Sequence, residues 1–379
     1  MKSSVPFRVR VEKNVIVRIN RILKGKGTIN VSEGQEVSPS DIIGTSLVSP
    51  GFRILNLANL LSVPPSEVSK YLKRSLGQKI YKDELLAQRT MFLGGKKVVI
   101  SPTDGILEFF NPKTGELKMK FLPKKEDLPA AFYGIVEQVD KEKDKIVIRT
   151  QASILHGMFG TGKSKEGILH IIGKRDELII KASISPKYDG LILVGGSLLY
   201  KDAIAVAISC GVSGIITGGI NAADYSGMAG GRLVFPKKLD NDIGISIVVC
   251  EGFGYIPIGE DIYEILTSYN GKFVSMDGNR GVVMLPSFES KSMIKVRNTK
   301  LPANDQSSQT HDLENQMFEL KIGLRVRIIG NSFLGQVGKI VALDKTETLL
   351  SSGIKTYLAT VETKTRKLQV PFANCEVIL

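Results

Sequence analysis

Hydrophobic and polar positions change rhythm three times along this chain. Over residues 1–150, short apolar runs at strand spacing are separated by turn residues, which predicts a β-rich region. From residue 176 to about residue 287, buried-type strands alternate with helical stretches. A polar segment follows, and the last sixty or so residues return to short strands. The expected class is a multidomain α+β protein: a β-rich domain at 1–150 with a helical insertion at 54–76, an α/β domain at 151–290, a polar linker at 291–317, and a small β-module at 318–379.

The N-terminal region carries an internal echo. Gly34-Gln35-Glu36-Val37-Ser38-Pro39-Ser40-Asp41-Ile42-Ile43-Gly44 and Gly77-Gln78-Lys79-Ile80-Tyr81-Lys82-Asp83-Glu84-Leu85-Leu86-Ala87 share a Gly-Gln pair, a β-branched residue two positions on, and an acid before an apolar close. Each reads as a turn feeding a strand that folds back over another strand, and residues 101–109 read as the matching half. Together these segments resemble the barrel-sandwich hybrid architecture of lipoyl and biotinyl domains, found also in RNA polymerase large subunits and electron-transport subunits. The hairpin that presents a modifiable lysine in the carrier domains is missing. Residues 54–76 stand in its place, where Pro64-Pro65-Ser66-Glu67 starts a predicted helix with Val68, Tyr71 and Leu72 as apolar positions. The resemblance therefore implies the architecture without a swinging arm. A hairpin of 133–139 and 145–150, joined by the charged turn 140–144, closes the predicted domain.

In the middle of the chain, strands at 190–196 and 212–219 each end in paired glycines, and an alanine-rich helix lies between them. Strands at 245–250, 272–276 and 282–285 and a helix at 260–269 complete a mainly parallel sheet. Ligands of such sheets bind at the strand ends, so Gly195, Gly196, Gly218 and Gly219 are candidate contacts for a small phosphorylated ligand. The alternative is that these glycines serve turn packing alone. Gly157-Met158-Phe159-Gly160-Thr161-Gly162-Lys163-Ser164 satisfies the spacing of a phosphate loop, with Gly157, Gly162, Lys163 and Ser164 at the defining positions. That loop needs a helix whose N-terminus points at the anion. Gly167 and Gly173 interrupt the required helix, and residues 168–172 read better as a strand, so a glycine-rich connector is the preferred reading. His156 and His170 beside it have no nucleophile or acid partner at a committing spacing. No catalytic residue, metal ligand or cofactor is assigned.

The C-terminal segment opens with Gly323-Leu324-Arg325-Val326-Arg327-Ile328-Ile329-Gly330-Asn331-Ser332-Phe333-Leu334-Gly335-Gln336-Val337-Gly338-Lys339-Ile340-Val341. Val326, Ile328, Val337 and Ile340 fall at strand spacing around a glycine-pinned turn. Gly323, Val326, Ile328, Gly335, Gly338 and Val341 resemble the KOW motif of transcription elongation factors and ribosomal proteins, over about a sixth of the chain. The resemblance implies a small SH3-like β-barrel whose loops contact RNA or a ribosomal or polymerase surface. On that reading Arg325, Arg327 and Lys339 meet phosphates, while Asn331, Phe333 and Gly335 shape the contact loop. Phe333, Tyr357 and Phe372 are the only rings there, so any stacking platform on the module is small.

Charge adds a partner class. A net charge of +13 and a pI near 9.4 favour a polyanion, and part of the excess lies between Met1 and Lys26. Forty-two per cent hydrophobic residues suffice for real cores. The N-terminus has no apolar core of signal-peptide length before Arg8, and no run approaches a membrane span, which sets the expectation of a cytoplasmic protein without a membrane partner. Cys210, Cys250 and Cys375 are too scattered for a disulfide framework or a zinc site. The expected function is binding without catalysis, with RNA or ribosomal or transcription proteins as partners; the alternative is a nucleotide- or phospholigand-binding enzyme using the central glycine turns.

Overall fold

The computed structural model describes residues 4–48, 51–91, 94–228, 243–299, 317–330 and 333–378, and strands far outweigh helices among them. The fold is organised on one twelve-residue strand, Lys145–His156. Along one edge it pairs antiparallel with Val11–Ile22, from Lys145 opposite Ile22 to Leu155 opposite Val11. Along the other edge its first half pairs with Gly134–Asp140 and its second half with Val282–Pro286. Ile146 and Ile148 pack with Ile19, Val136 and Phe132 in one core, whereas Leu155 packs with Val283 and Leu285 in the next. Each such side chain contributes about 1.5–3 kcal/mol when fully buried.

The expected boundary between 150 and 151 therefore falls inside a single strand. One thirteen-stranded sheet runs from the N-terminal β-region into the α/β region. A break at that point would leave ladder amides and carbonyls unpaired in the interior, which is costly.

The sequence echo corresponds to two nested modules built alike. Gly34 and Gly77 both adopt positive φ, at 82° and 86°, and their amides donate to the carbonyls of Val136 (2.8 Å) and Leu107 (2.7 Å). The Gln35 and Gln78 side-chain oxygens accept from the amides of Ser32 and Ser75. Carboxylates of Asp41 and Glu84 accept from the amides of Ser38 and Tyr81, and their carbonyls accept from Ala130 and Ser101, each at 2.8 Å. In the outer module the chain continues as Ile42–Val48, paired with Lys124–Pro129. The inner module lies wholly between those two strands. Its sheet runs in the order Phe52–Asn56, Glu116–Phe121, Gly105–Asn111, Lys79–Ile80, and a hairpin joins Leu85–Thr90 to Lys96–Ile100.

The predicted helical insertion at 54–76 is corrected in part. Residues Phe52–Asn56 form a strand because Leu55 and Asn56 pair with Leu117 and Glu116. A short α-helix, Leu57–Leu61, is capped by the Asn56 side chain, and Pro65–Tyr71 forms a 3-10 helix with Pro65 in its first turn.

In the α/β region Lys165–Ile171, Ile192–Val194, Gly214–Ile220 and Ser246–Phe253 are parallel neighbours. Helix Lys201–Ser209 covers one face through Ala203, Ile204 and Ala207, and helix Glu260–Ser268 covers the other through Ile262 and Leu266. Burial on both faces explains the unbroken apolar runs. Phe273–Asp277 and Val282–Pro286 join antiparallel, so only part of the sheet is parallel.

The last sheet has seven strands, and one of them comes from the start of the chain. Ser4–Arg8 lies between Met317–Glu319, antiparallel, and Cys375–Ile378, parallel. Val5 and Phe7 are core residues there beside Val326, Ile340 and Val377, so the expected 1–150 unit contributes a strand to the 318–379 unit. The predicted linker is also corrected over its first residues. Ser292–Asn298 is a helix with Met293 and Val296 buried, and Arg297 forms a bidentate pair with Glu36 at 2.5 and 2.7 Å. The remainder of that segment, 300–316, lies outside the described residues.

Candidate functional site

The C-terminal sheet presents its cations on one face. Arg325 stands directly opposite Lys339, Lys339 opposite Glu362, and Glu362 opposite Lys367. Opposed residues of an antiparallel ladder point to the same side, and all four are exposed. Glu362 pairs with Lys367 at 3.3 Å. The Arg366 guanidinium lies 5.0 Å over the Phe333 ring, which is half-buried. Gly335 supplies the φ of +80° that the turn requires, and its amide donates to the Ile328 carbonyl.

Two expected contact residues face inward instead. Gly335 is buried, and a Cβ there would lie 3.5 Å from the Pro257 carbonyl. Arg327 shares a face with Arg325 but is 3% exposed, because this end of the sheet docks against the α/β region. Its guanidinium pairs with Glu251 and, at 3.1 Å, with Glu376, so it is not available to a phosphate. Asn331 lies outside the described residues.

Arg327 belongs to a buried six-residue charge cluster. Glu251, 4% exposed, also accepts from Arg10 Nη2 at 2.5 Å and from the Gly259 amide at 2.7 Å. Arg10, 1% exposed, reaches Asp261 at 3.0 Å. The Arg8 side chain donates to the carbonyls of Cys250 and His156 at 3.3 and 3.4 Å. Burial works against the Arg10 guanidinium, but Glu251 and Asp261 outweigh it and hold its pKa above the ordinary arginine value. For Arg8 burial wins, and the pKa is lowered. Three guanidiniums accompany three carboxylates, so the cluster is balanced in charge. Its chemical role is to fix the C-terminal sheet on the α/β region. Lys364 adds surface pairs to Glu260 and Glu264 at the same junction.

The central glycines are explained by backbone packing. The amides of Gly195, Gly196 and Gly218 donate to the carbonyls of Ile216, Lys174 and Gly196 at 3.1–3.2 Å. A Cβ would stand 2.1 Å from the Ile256 carbonyl at Gly218 and 2.0 Å from the Gly254 carbonyl at Gly219. Those three amides are committed inside the protein, so they do not form an anion cradle. The phosphate-loop spacing folds as Phe159–Thr161, a strand antiparallel to Ser246–Phe253, and then as the strand Lys165–Ile171. Gly157 donates to the Gly281 carbonyl, Gly162 takes φ +92°, and Ser164 donates to Asp277 at 2.9 Å. Lys163 is exposed. No helix follows Ser164, so the helix N-terminus required for phosphate is not there.

A cleft of about 300 Å³ lies between the outer module and the α/β region, at the N-terminal ends of the parallel strands, where Leu191 and Ser213 precede Ile192–Val194 and Gly214–Ile220. This is opposite to the end that ligands use in such sheets. Its charged floor is the Arg21–Glu166 pair at 3.0 Å, with Arg21 also bound to the Pro129 carbonyl and stacked 4.4 Å over Phe273. Burial raises the Glu166 carboxyl above its ordinary range against the pull of Arg21. The pair links Val11–Ile22 to Lys165–Ile171. Among the described residues, no three His, Cys, Asp or Glu side chains group as metal ligands.

No protein-family model matches this chain, and neither does any curated protein. The geometry alone therefore carries the functional argument, and it adds a surface that the sequence pattern did not single out. On the inner module Phe52, Ile54 and Phe109 are exposed beside Lys118 and Lys120. The available signal was the alternation Glu116-Leu117-Lys118-Met119-Lys120-Phe121, which places both lysines on one side of a strand.

Proposed function

We propose that this chain is a non-enzymatic RNA-binding protein acting with the ribosome or the transcription machinery, and that its C-terminal sheet is a KOW-type SH3-like barrel. The outer and inner modules are read as barrel-sandwich hybrids that carry the barrel at a set angle. The observation that supports this best is the exposed juxtaposition of Arg325 and Lys339 on adjacent strands. Like charges directly opposed on a sheet are destabilising. Their retention at the surface suits a phosphate-binding edge, with Arg366 on Phe333 offering a planar cation beside it. A cytoplasmic site of action fits this reading. Among the described residues no helix is long and apolar enough to cross a membrane.

The test is fluorescence anisotropy of the full-length protein with a labelled stem-loop RNA across a salt series. Arg325→Glu combined with Lys339→Glu should weaken binding and reduce the slope of log K against log salt by about one to two. Both side chains are exposed, so folding should be unaffected. An unchanged slope would refute the assignment.

A further inference from the structure

A second surface follows from the sheet of the inner module. Reading across its four strands, Phe52 stands opposite Lys120, Lys120 opposite Ile106, and Ile106 opposite Lys79. In the neighbouring row Ile54 stands opposite Lys118, and Lys118 opposite Phe109. The other side of the same strands holds Leu117, Met119, Leu107 and Ile80, all fully buried. The alternation is therefore regular, and the outward face bears aromatic and aliphatic groups interleaved with lysines. Phe52, Ile54 and Phe109 remain 55%, 53% and 56% exposed, although side chains of this size normally contribute about 1.5–3 kcal/mol each when buried.

The charges around these rings indicate what covers them. Lys118 Nζ lies 4.5 Å from the centre of the Phe52 ring and 2.8 Å from Glu108 Oε2. Glu108 sits where the ladder register shifts, and Lys118 holds its carboxyl below the ordinary range. Glu108 is thus already paired and Glu116, on the same side of the strand, accepts from the Thr114 hydroxyl at 2.9 Å, while Lys120 and Lys79 are exposed. Phe52 and Phe109 lie two strands apart, about 10 Å across the sheet. A ligand that fits must offer flat apolar groups at intervals and negative charge between them. Unpaired bases on a phosphate backbone have that composition, whereas a duplex hides its base faces.

We propose that this face binds single-stranded RNA, with bases stacked on Phe52 and Phe109 and the backbone crossing Lys120 and Lys79. The choice of RNA over DNA rests on the proposed function; the site itself is independent of the barrel.

The experiment measures binding of full-length protein to labelled oligouridine, to oligothymidine and to an RNA duplex. Phe52→Ala and Phe109→Ala should each weaken oligouridine binding at least about fivefold. Phe52→Tyr and Phe109→Tyr, which keep the ring, should retain it, and Lys120→Gln should lower the salt slope. The duplex should bind with no dependence on either ring. If ring loss leaves oligouridine affinity unchanged while the Arg325/Lys339 variant still loses stem-loop binding, this proposal falls and the barrel assignment stands. Loss confined to the ring variants would instead refute the barrel assignment and support this face. Equal or tighter ring-dependent binding of oligothymidine would overturn the choice of RNA. If the alanine variants change only the sedimentation of the protein, the face is a self-association surface and the proposal is wrong.

Discussion

Glu251 offers the most direct test of how the C-terminal sheet is held. Its carboxylate lies between Arg10 and Arg327, which are 1% and 3% exposed, and it also accepts the Gly259 amide. Removing one partner of a buried ion pair costs about 3–5 kcal/mol, because the remaining charge stays buried and uncompensated. Here Arg10 keeps Asp261 at 3.0 Å and Arg327 keeps Glu376 at 3.1 Å, so the lower end applies, about 3 kcal/mol for Glu251→Ala. At about 1.3 °C per kcal/mol for a chain this large, the melting temperature should fall by about 4 °C. Glu251→Gln keeps the volume and removes only the charge, so it should also destabilise. Scanning calorimetry gives the size of the loss. Hydrogen exchange should locate it, with protection falling first in Ser4–Arg8 and Cys375–Ile378, the strands next to the cluster. Both variants melting within about 1 °C of wild type would refute the claim that the cluster fixes the sheet.

Two further predictions concern titration and reactivity. Glu166 has a folded-state pKa above its ordinary 4.5, so its contribution is present below that value and is lost as pH rises through the raised one. Glu166→Gln should flatten the decline in urea midpoint over that window, and a decline of unchanged steepness would contradict the burial argument. Burial pushes the Cys250 thiol up to about 12 and the Cys375 thiol up to about 11. A thiol-directed reagent at pH 8 should therefore label half-buried Cys210 in the native protein and reach the other two only after denaturation. Native labelling of Cys250 would show that the α/β core opens.

Local chemistry was legible in the sequence, and long-range pairing was not. The Gly-Gln echo encodes a positive-φ turn and side-chain caps set within a few residues, so Gly34 and Gly77 can be matched from the sequence. Nothing local records that the inner copy interrupts the outer one, since Ile42–Val48 and Lys124–Pro129 meet across the whole insertion. The strand Lys145–His156 reads as stopping at 150 because its first half completes a hairpin that looks like an ending. The glycine interruptions at Gly167 and Gly173 correctly argued against a helix after Ser164. Arg325 and Arg327 look equivalent along the chain; only docking against Glu251 separates an exposed cation from a buried one.

The placement of Ser4–Arg8 has a consequence for biosynthesis. This strand is made about 370 residues before its parallel neighbour Cys375–Ile378, since Phe7 pairs with Val377. At about 5–20 residues per second, Val5 and Phe7 wait roughly 20 to 70 s for the surface that buries them. Until then two strand edges remain open, so the sheet closes only once the whole span between these two strands has been made. A chain stopped before residue 375 would carry an unsealed apolar edge that folding of the upstream modules cannot conceal.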